Sequence, residues 1–179
     1  MPKKYRHAVL SELSTFDKQG ATRVVVETPR GSCNKYDYKP DWDCFELAAV
    51  LPEGMSFPYD FGFIPSTLGD DGEPLDILVL LDAAVIPASL VRARLIGVIE
   101  GEQLDGKKKI RNDRIIAVAE ANHMYANIRK LSDLPGKFLH ELEDFFVNYH
   151  DLEGKKYRLL GCEGAEAAFN LIKQARKAI

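Results

Sequence analysis

The sequence predicts an α+β fold: strands followed by helices, with a small β-barrel as the best match. Three observations carry this expectation. Five or more stretches rich in β-branched and aliphatic residues fill the first two thirds of the chain. Near Leu134 the apolar residues take up helical spacing. No repeat, low-complexity tract or linker divides the 179 residues, so residues 1–179 are expected to form one domain with a core of its own.

In chain order, residues 23–30, RVVVETPR, are β-branched and stop at a proline, a strand followed by a turn. Residues 34–51, NKYDYKPDWDCFELAAVL, read as two strands joined by a turn near positions 39–43. Residues 51–72, LPEGMSFPYDFGFIPSTLGDDG, are rich in Pro, Gly and aromatics and are expected to form an ordered surface loop long enough to carry function. PLDILVLLD, LVRARLIGVIEGEQ and RIIAVAEA are further strands, and LDGKKKIRND (104–113) is a polar, basic excursion with a D-G turn. Phe138, Leu139, Leu142, Phe145, Phe146 and Tyr149 then recur at helical spacing, with Ser132 or Asp133 as the cap and Pro135 in the first turn. Residues 164–178 read as a closing helix.

Composition narrows the function classes. The net charge of −3 argues against nucleic acid as a partner. Cys33, Cys44 and Cys162 form neither a zinc motif nor a disulfide framework, which points to a reducing cytoplasm. The first residues, MPKKYRHAVL, hold no long apolar run, and no apolar run of membrane-spanning length occurs, so we expect neither secretion nor membrane insertion.

The stretch GDDGEPLDILVLLD (69–82) sets Asp70, Asp71, Glu73 and Asp76 against the mouth of an apolar strand. Like charges this close repel, so a cation belongs among them. Gly72 permits a tight turn, and Pro74 pushes Glu73 toward an extended conformation. Asp71 and Glu73 can then share a side, with Asp76 nearby. Oxygen donors without His or Cys suit a hard ion, magnesium or manganese, completed by water and phosphate. A solvated acidic loop is the competing reading. Cations elsewhere supply a phosphate side: Lys35 between Glu27 and Asp37, and Lys107, Lys108, Lys109, Arg111 and Arg114 around the basic excursion. The lysine run reads as a solvated hairpin tip, whereas Arg114, at a strand start, is the better site residue.

These features resemble the soluble family I inorganic pyrophosphatases. The family's Asp-Gly-Asp-Pro-x-Asp motif stands here as Asp71-Gly72-Glu73-Pro74-Leu75-Asp76. The segments VVVETP…NKYDY, FPYDFGFIPSTLGDDGEPLDILVL, RLIGVIE and FFVNYHDLEGKKY follow in the family's order, from about residue 20 to residue 165. The resemblance implies a five-stranded OB-like barrel with outer helices, a homo-oligomer (commonly a hexamer), and Mg²⁺-dependent hydrolysis of pyrophosphate to two phosphates. By position, Asp71 and Asp76 are metal ligands, Glu73 activates water, and Glu27 holds an outer metal through water. Lys35, Arg114, Tyr149 and His150 bind phosphate, and Asn112 is the remaining metal position.

Several site positions depart from the family pattern. Glu73 is a methylene longer than its counterpart and Asp37 a methylene shorter. An expected arginine is Ala49, a tyrosine is Phe61, and two expected aspartates are Gln103 and Asn112. Arg114 and His150 each stand for a lysine. Asp105 or Asp113 could replace the missing carboxylates if the loop folds differently. These changes keep open a second reading, a pyrophosphatase-like protein of weak activity that binds phosphate compounds or cleaves another phosphoanhydride. A nucleic-acid-binding OB barrel is a third reading.

Overall fold

The computed structural model describes residues 9–105, 108–152 and 154–176, apart from the side chain of Asp105. Its strands are β1 (Thr22–Thr28), β2 (Asn34–Lys39), β3 (Cys44–Val50), β4 (Asp60–Phe63), β5 (Asp76–Leu80), β6 (Leu90–Asp105), β7 (Lys108–Arg111), β8 (Arg114–Ala119) and β9 (Lys156–Gly164), with helices α1 (Phe138–Leu152) and α2 (Ala165–Ala175). Five strands close on themselves in the order β1–β4–β5–β8–β6–β1, with β5 and β8 parallel and the other neighbours antiparallel. This ring is the expected five-stranded OB-like barrel.

Burial explains the sequence pattern. In β5, Leu78 and Leu80 pack with Phe138, Leu142 and Phe146 of α1, while Ile77 and Val79 pack with Ala168 and Ile172 of α2. A strand covered on both faces reads as a continuous apolar run. Gly62 is required where β4 meets β1, because a Cβ there would lie 2.0 Å from the Val25 carbonyl oxygen. The β1–β4 register shifts between Val26 and Thr28. Between them, the Glu27 carboxylate accepts the Tyr38 N–H at 2.7 Å.

Several expectations need correction. Residues 51–72 are not loop throughout: Asp60–Phe63 form β4, every residue of it buried. The basic excursion forms β7, which pairs with the end of β6, while Lys107 lies outside the described residues. Residues 156–164 form β9 along β6. The helix begins at Phe138, after Pro135, and Asp133 instead accepts the N–H groups of Arg129 and Lys130 at 2.8 and 3.1 Å.

Candidate active site

A cleft of about 340 Å³ gathers all nine residues assigned from the sequence: Glu27, Lys35, Asp71, Glu73, Asp76, Asn112, Arg114, Tyr149 and His150. Asp37 and Gln103 line it too. Barrel strands supply the acidic wall and floor. The β2–β3 ribbon and the end of α1 supply the facing cations and aromatics.

The acidic wall grows from the turn between β4 and β5. Gly72 has φ +90°, where glycine is favoured. The turn closes through Gly69 N–H to the Glu73 carbonyl at 2.7 Å and Glu73 N–H to the Asp71 carboxylate at 3.1 Å. Asp71 and Glu73 are therefore exposed at the rim, with Asp76 at the start of β5 below them. Burial pushes the Glu27 carboxyl up to about 8, aided by the charges of Asp76 and Asp37 and opposed by the Tyr38 N–H and Lys35. Burial also raises Asp76; Asp71 adds to the shift and Arg114 opposes it.

The floor is a chain of polar side chains. Ile77 pairs with Ile115 in the parallel β5–β8 ladder, so the residues before them, Asp76 and Arg114, lie side by side. Their ion pair measures 2.7 Å, and Arg114 is only 4% exposed. The Arg114 guanidinium also donates to the Asn112 side-chain oxygen. Asn112 Nδ2 in turn donates to Gln103 Oε1 at 2.8 Å. Phe61, Phe146 and Tyr157 surround the guanidinium at 5.9, 5.2 and 5.9 Å, and the Tyr157 hydroxyl donates to the Asn112 carbonyl at 3.0 Å. Asp113 accepts Arg111 Nε–H and Gly101 N–H at 2.6 and 2.9 Å and lines a second cavity that it shares with Asp71 and Asp76, rather than the main cleft. The side chain of Asp105 lies outside the described residues.

On the cationic wall, Lys35 pairs with Asp37 at 3.3 Å and lies 5.8 Å from the Tyr149 ring. Ala49 is the cross-strand partner of Lys35, so no arginine backs it. His150 is buried, with Nδ1 2.8 Å from the Phe146 carbonyl oxygen and its ring stacked on Tyr157 at 4.5 Å. Sequence reasoning missed Lys155, Lys39 and Tyr38, all of which line the cleft. Lys155 follows the turn after α1, and its N–H donates to the His150 carbonyl at 2.9 Å.

The donors fit a hard cation. Among the described residues no three acidic, His or Cys groups converge tightly enough to grip an ion unaided. A magnesium-like ion needs only one or two carboxylates, with water and phosphate completing its shell. Asp71 and Asp76 offer oxygen alone, facing a cationic wall that suits the phosphate.

A family model described as inorganic pyrophosphatase matches residues 24–179. The inorganic pyrophosphatase of a Synechocystis species is 38% identical over 168 residues, covering 94% of this chain and 97% of its own length. The crystal structure of inorganic pyrophosphatase from Thermus thermophilus superposes with a TM-score of 0.86 at 34% identity, covering 94% of this chain and 97% of that one. The Helicobacter pylori inorganic pyrophosphatase gives 0.80 at 28% identity, covering 97% and 96%.

Proposed function

The chain belongs to the inorganic pyrophosphatase family, and from that membership we infer that the cleft around Asp71, Asp76 and Arg114 hydrolyses pyrophosphate to two phosphates. The observation that carries this site assignment is the collection of all nine assigned residues around one cleft, carboxylates opposite cations.

The family needs a divalent metal, and we assign Mg²⁺, with Mn²⁺ as a second candidate. Asp71 and Asp76 would hold it, with Glu27 reaching it through water, and the bound ion would neutralise phosphate oxygens and acidify a water. Glu73, exposed on its turn, accepts a proton from the attacking water. Lys35, Arg114 and Tyr149 hold phosphate oxygens and disperse the charge that builds on the leaving phosphate. His150 backs that wall.

We also read the chain as one domain and as a cytoplasmic homo-oligomer, a hexamer by analogy with the family. Val147 and Leu152 on α1 and Phe169 on α2 are exposed apolar side chains that support an assembled state. Among the described residues no helix is long and apolar enough to cross a membrane.

Gln103 and Asn112 favour a second reading, slow hydrolysis or another phosphoanhydride as substrate. The deciding experiment measures phosphate release from pyrophosphate across a Mg²⁺ titration, with chelator as the control. Metal-dependent release supports the first reading. A folded protein that releases phosphate faster from another phosphoanhydride supports the second.

A further inference from the structure

The Arg114–Asp76 pair serves more than phosphate binding. A divalent ion held by Asp76 would lie within a few ångströms of a guanidinium that already occupies one of the carboxylate oxygens. In a partly buried cleft that repulsion is weakly screened. The guanidinium is also fixed in place. Three aromatic rings surround it, and the Asn112 side-chain oxygen accepts from it. Its Nε is buried and has no hydrogen-bond partner among the described residues. A buried charged donor in that state is costly. Asn112 Oδ1 already accepts from Arg114 and Gln103 Oε1 from Asn112, so each amide oxygen keeps one lone pair for an ion but brings no full negative charge to offset the repulsion.

We propose that Arg114 is the resident counter-cation of Asp76 and couples metal capture to substrate binding. It holds Asp76 until pyrophosphate oxygens take over the guanidinium, so a divalent ion loads tightly only together with the phosphate ligand. This rests on the site assignment above and adds to it an order of events: metal alone binds weakly, and metal with anion binds strongly. By linkage, each ligand raises the affinity of the other by the same factor. Arg114 is then a positioning residue for the metal as well as a contact for the anion.

The test is calorimetry of metal-free protein with Mg²⁺, with and without inorganic phosphate. Replacing Arg114 by Met keeps an unbranched apolar stem among the three rings. The expected result for Arg114→Met is a rise in Mg²⁺ affinity, measured without phosphate, of about tenfold or more, from relief of the charge repulsion. The gain in Mg²⁺ affinity on adding phosphate should shrink in the same variant. Arg114→Lys should restore weak metal binding. A measurement on the wild-type protein covers the case in which Arg114→Met does not fold. The Arg114 Nε–H resonance, in selectively labelled protein, should stay in place with Mg²⁺ alone and move when Mg²⁺ and phosphate are added together. Wild-type binding of Mg²⁺ with unchanged or weaker affinity in folded Arg114→Met overturns the coupling and leaves the site assignment standing. A resonance unmoved by the two ligands together also overturns it. Absence of Mg²⁺ binding to wild type under both conditions overturns the site assignment as well.

Discussion

Asn112 Nδ2 donates to Gln103 Oε1 at 2.8 Å, tying the far end of β6 to the turn before β8 across the floor of the cleft. This bond, with the one from Arg114, leaves two amides where carboxylates would add negative charge on the metal side. Restoring the charge with Gln103→Asp and Asn112→Asp together should tighten the apparent Mg²⁺ midpoint and speed phosphate release. By analogy with other partners around metal sites, the expected effect is about 10–100-fold. Unchanged midpoint and rate would mean that the amides do not limit this enzyme.

Asp71 and Asp76 are the two carboxylates we assign directly to the metal. Asp71→Asn and Asp76→Asn should each abolish metal-dependent phosphate release while circular dichroism stays native. Asp71→Asn should be the milder change for folding, because Asp71 is exposed on its turn, whereas Asp76→Asn leaves Arg114 buried without its ion partner. Mg²⁺ affinity retained in both variants would place the metal elsewhere.

The sequence disclosed the parts whose signal is local. Strands β5 and β8 read as apolar runs because both faces are covered, and the acidic turn stood out by charge density alone. Strand β4 was hidden because only four residues, flanked by proline and aromatics, form it. Strand β9 was hidden because KYRLLGCEG mixes exposed and buried positions without a clean alternation. The Arg114–Asp76 partnership was out of reach for another reason. Each residue was recognisable as a site group, but they meet only through the parallel Ile77–Ile115 register, a long-range pairing. Lys155 was missed because the turn after α1, and not its place in a lysine pair, decides that it lines the cleft.

Gly62 tests the barrel closure that carries Glu27 and Phe61. A methyl group at that position would meet the Val25 carbonyl oxygen and the Val26 Cα, both backbone, at 2.0 and 2.8 Å. No side-chain rotation relieves such a contact. Gly62→Ala should cost about 3 kcal/mol, at the upper end of overpacking penalties. Denaturant unfolding would show it, and a loss under about 0.5 kcal/mol would mean that β1 and β4 separate without cost.

Asp60 gives a pH signature that does not involve the cleft. It is 1% exposed, and burial raises its carboxyl above the ordinary range, although the N–H groups of Val85 and Arg30 and the Arg30 charge oppose the shift. A carboxyl with a raised pKa in the folded state holds its proton more tightly there than in the unfolded chain. It therefore detracts increasingly from stability as the pH climbs above the unfolded value. Asp60→Asn removes that titration while keeping the shape. Its melting temperature relative to wild type should improve between about pH 4 and about pH 7, measured with chelator present. A difference that stays constant with pH would show that Asp60 titrates normally.

Lys155 and His150 are joined by the 2.9 Å bond from the Lys155 N–H to the His150 carbonyl, yet their substitutions should have opposite signatures. His150 is 2% exposed, holds the Phe146 carbonyl through Nδ1 and stacks on Tyr157, so His150→Ala should lower the melting temperature. Lys155 is exposed at the rim of the cleft, so Lys155→Met should leave stability within about 0.5 kcal/mol of wild type. A lysine that holds a phosphate oxygen contributes a charge-assisted hydrogen bond of about 1.5–3 kcal/mol. Lys155→Met should therefore raise KM for pyrophosphate by about tenfold or more, with a smaller change in kcat. Steady-state kinetics at saturating Mg²⁺ would separate the two parameters. An unchanged KM would show that Lys155 lines the cleft without touching the substrate. The phosphate wall would then consist of Lys35, Arg114 and Tyr149.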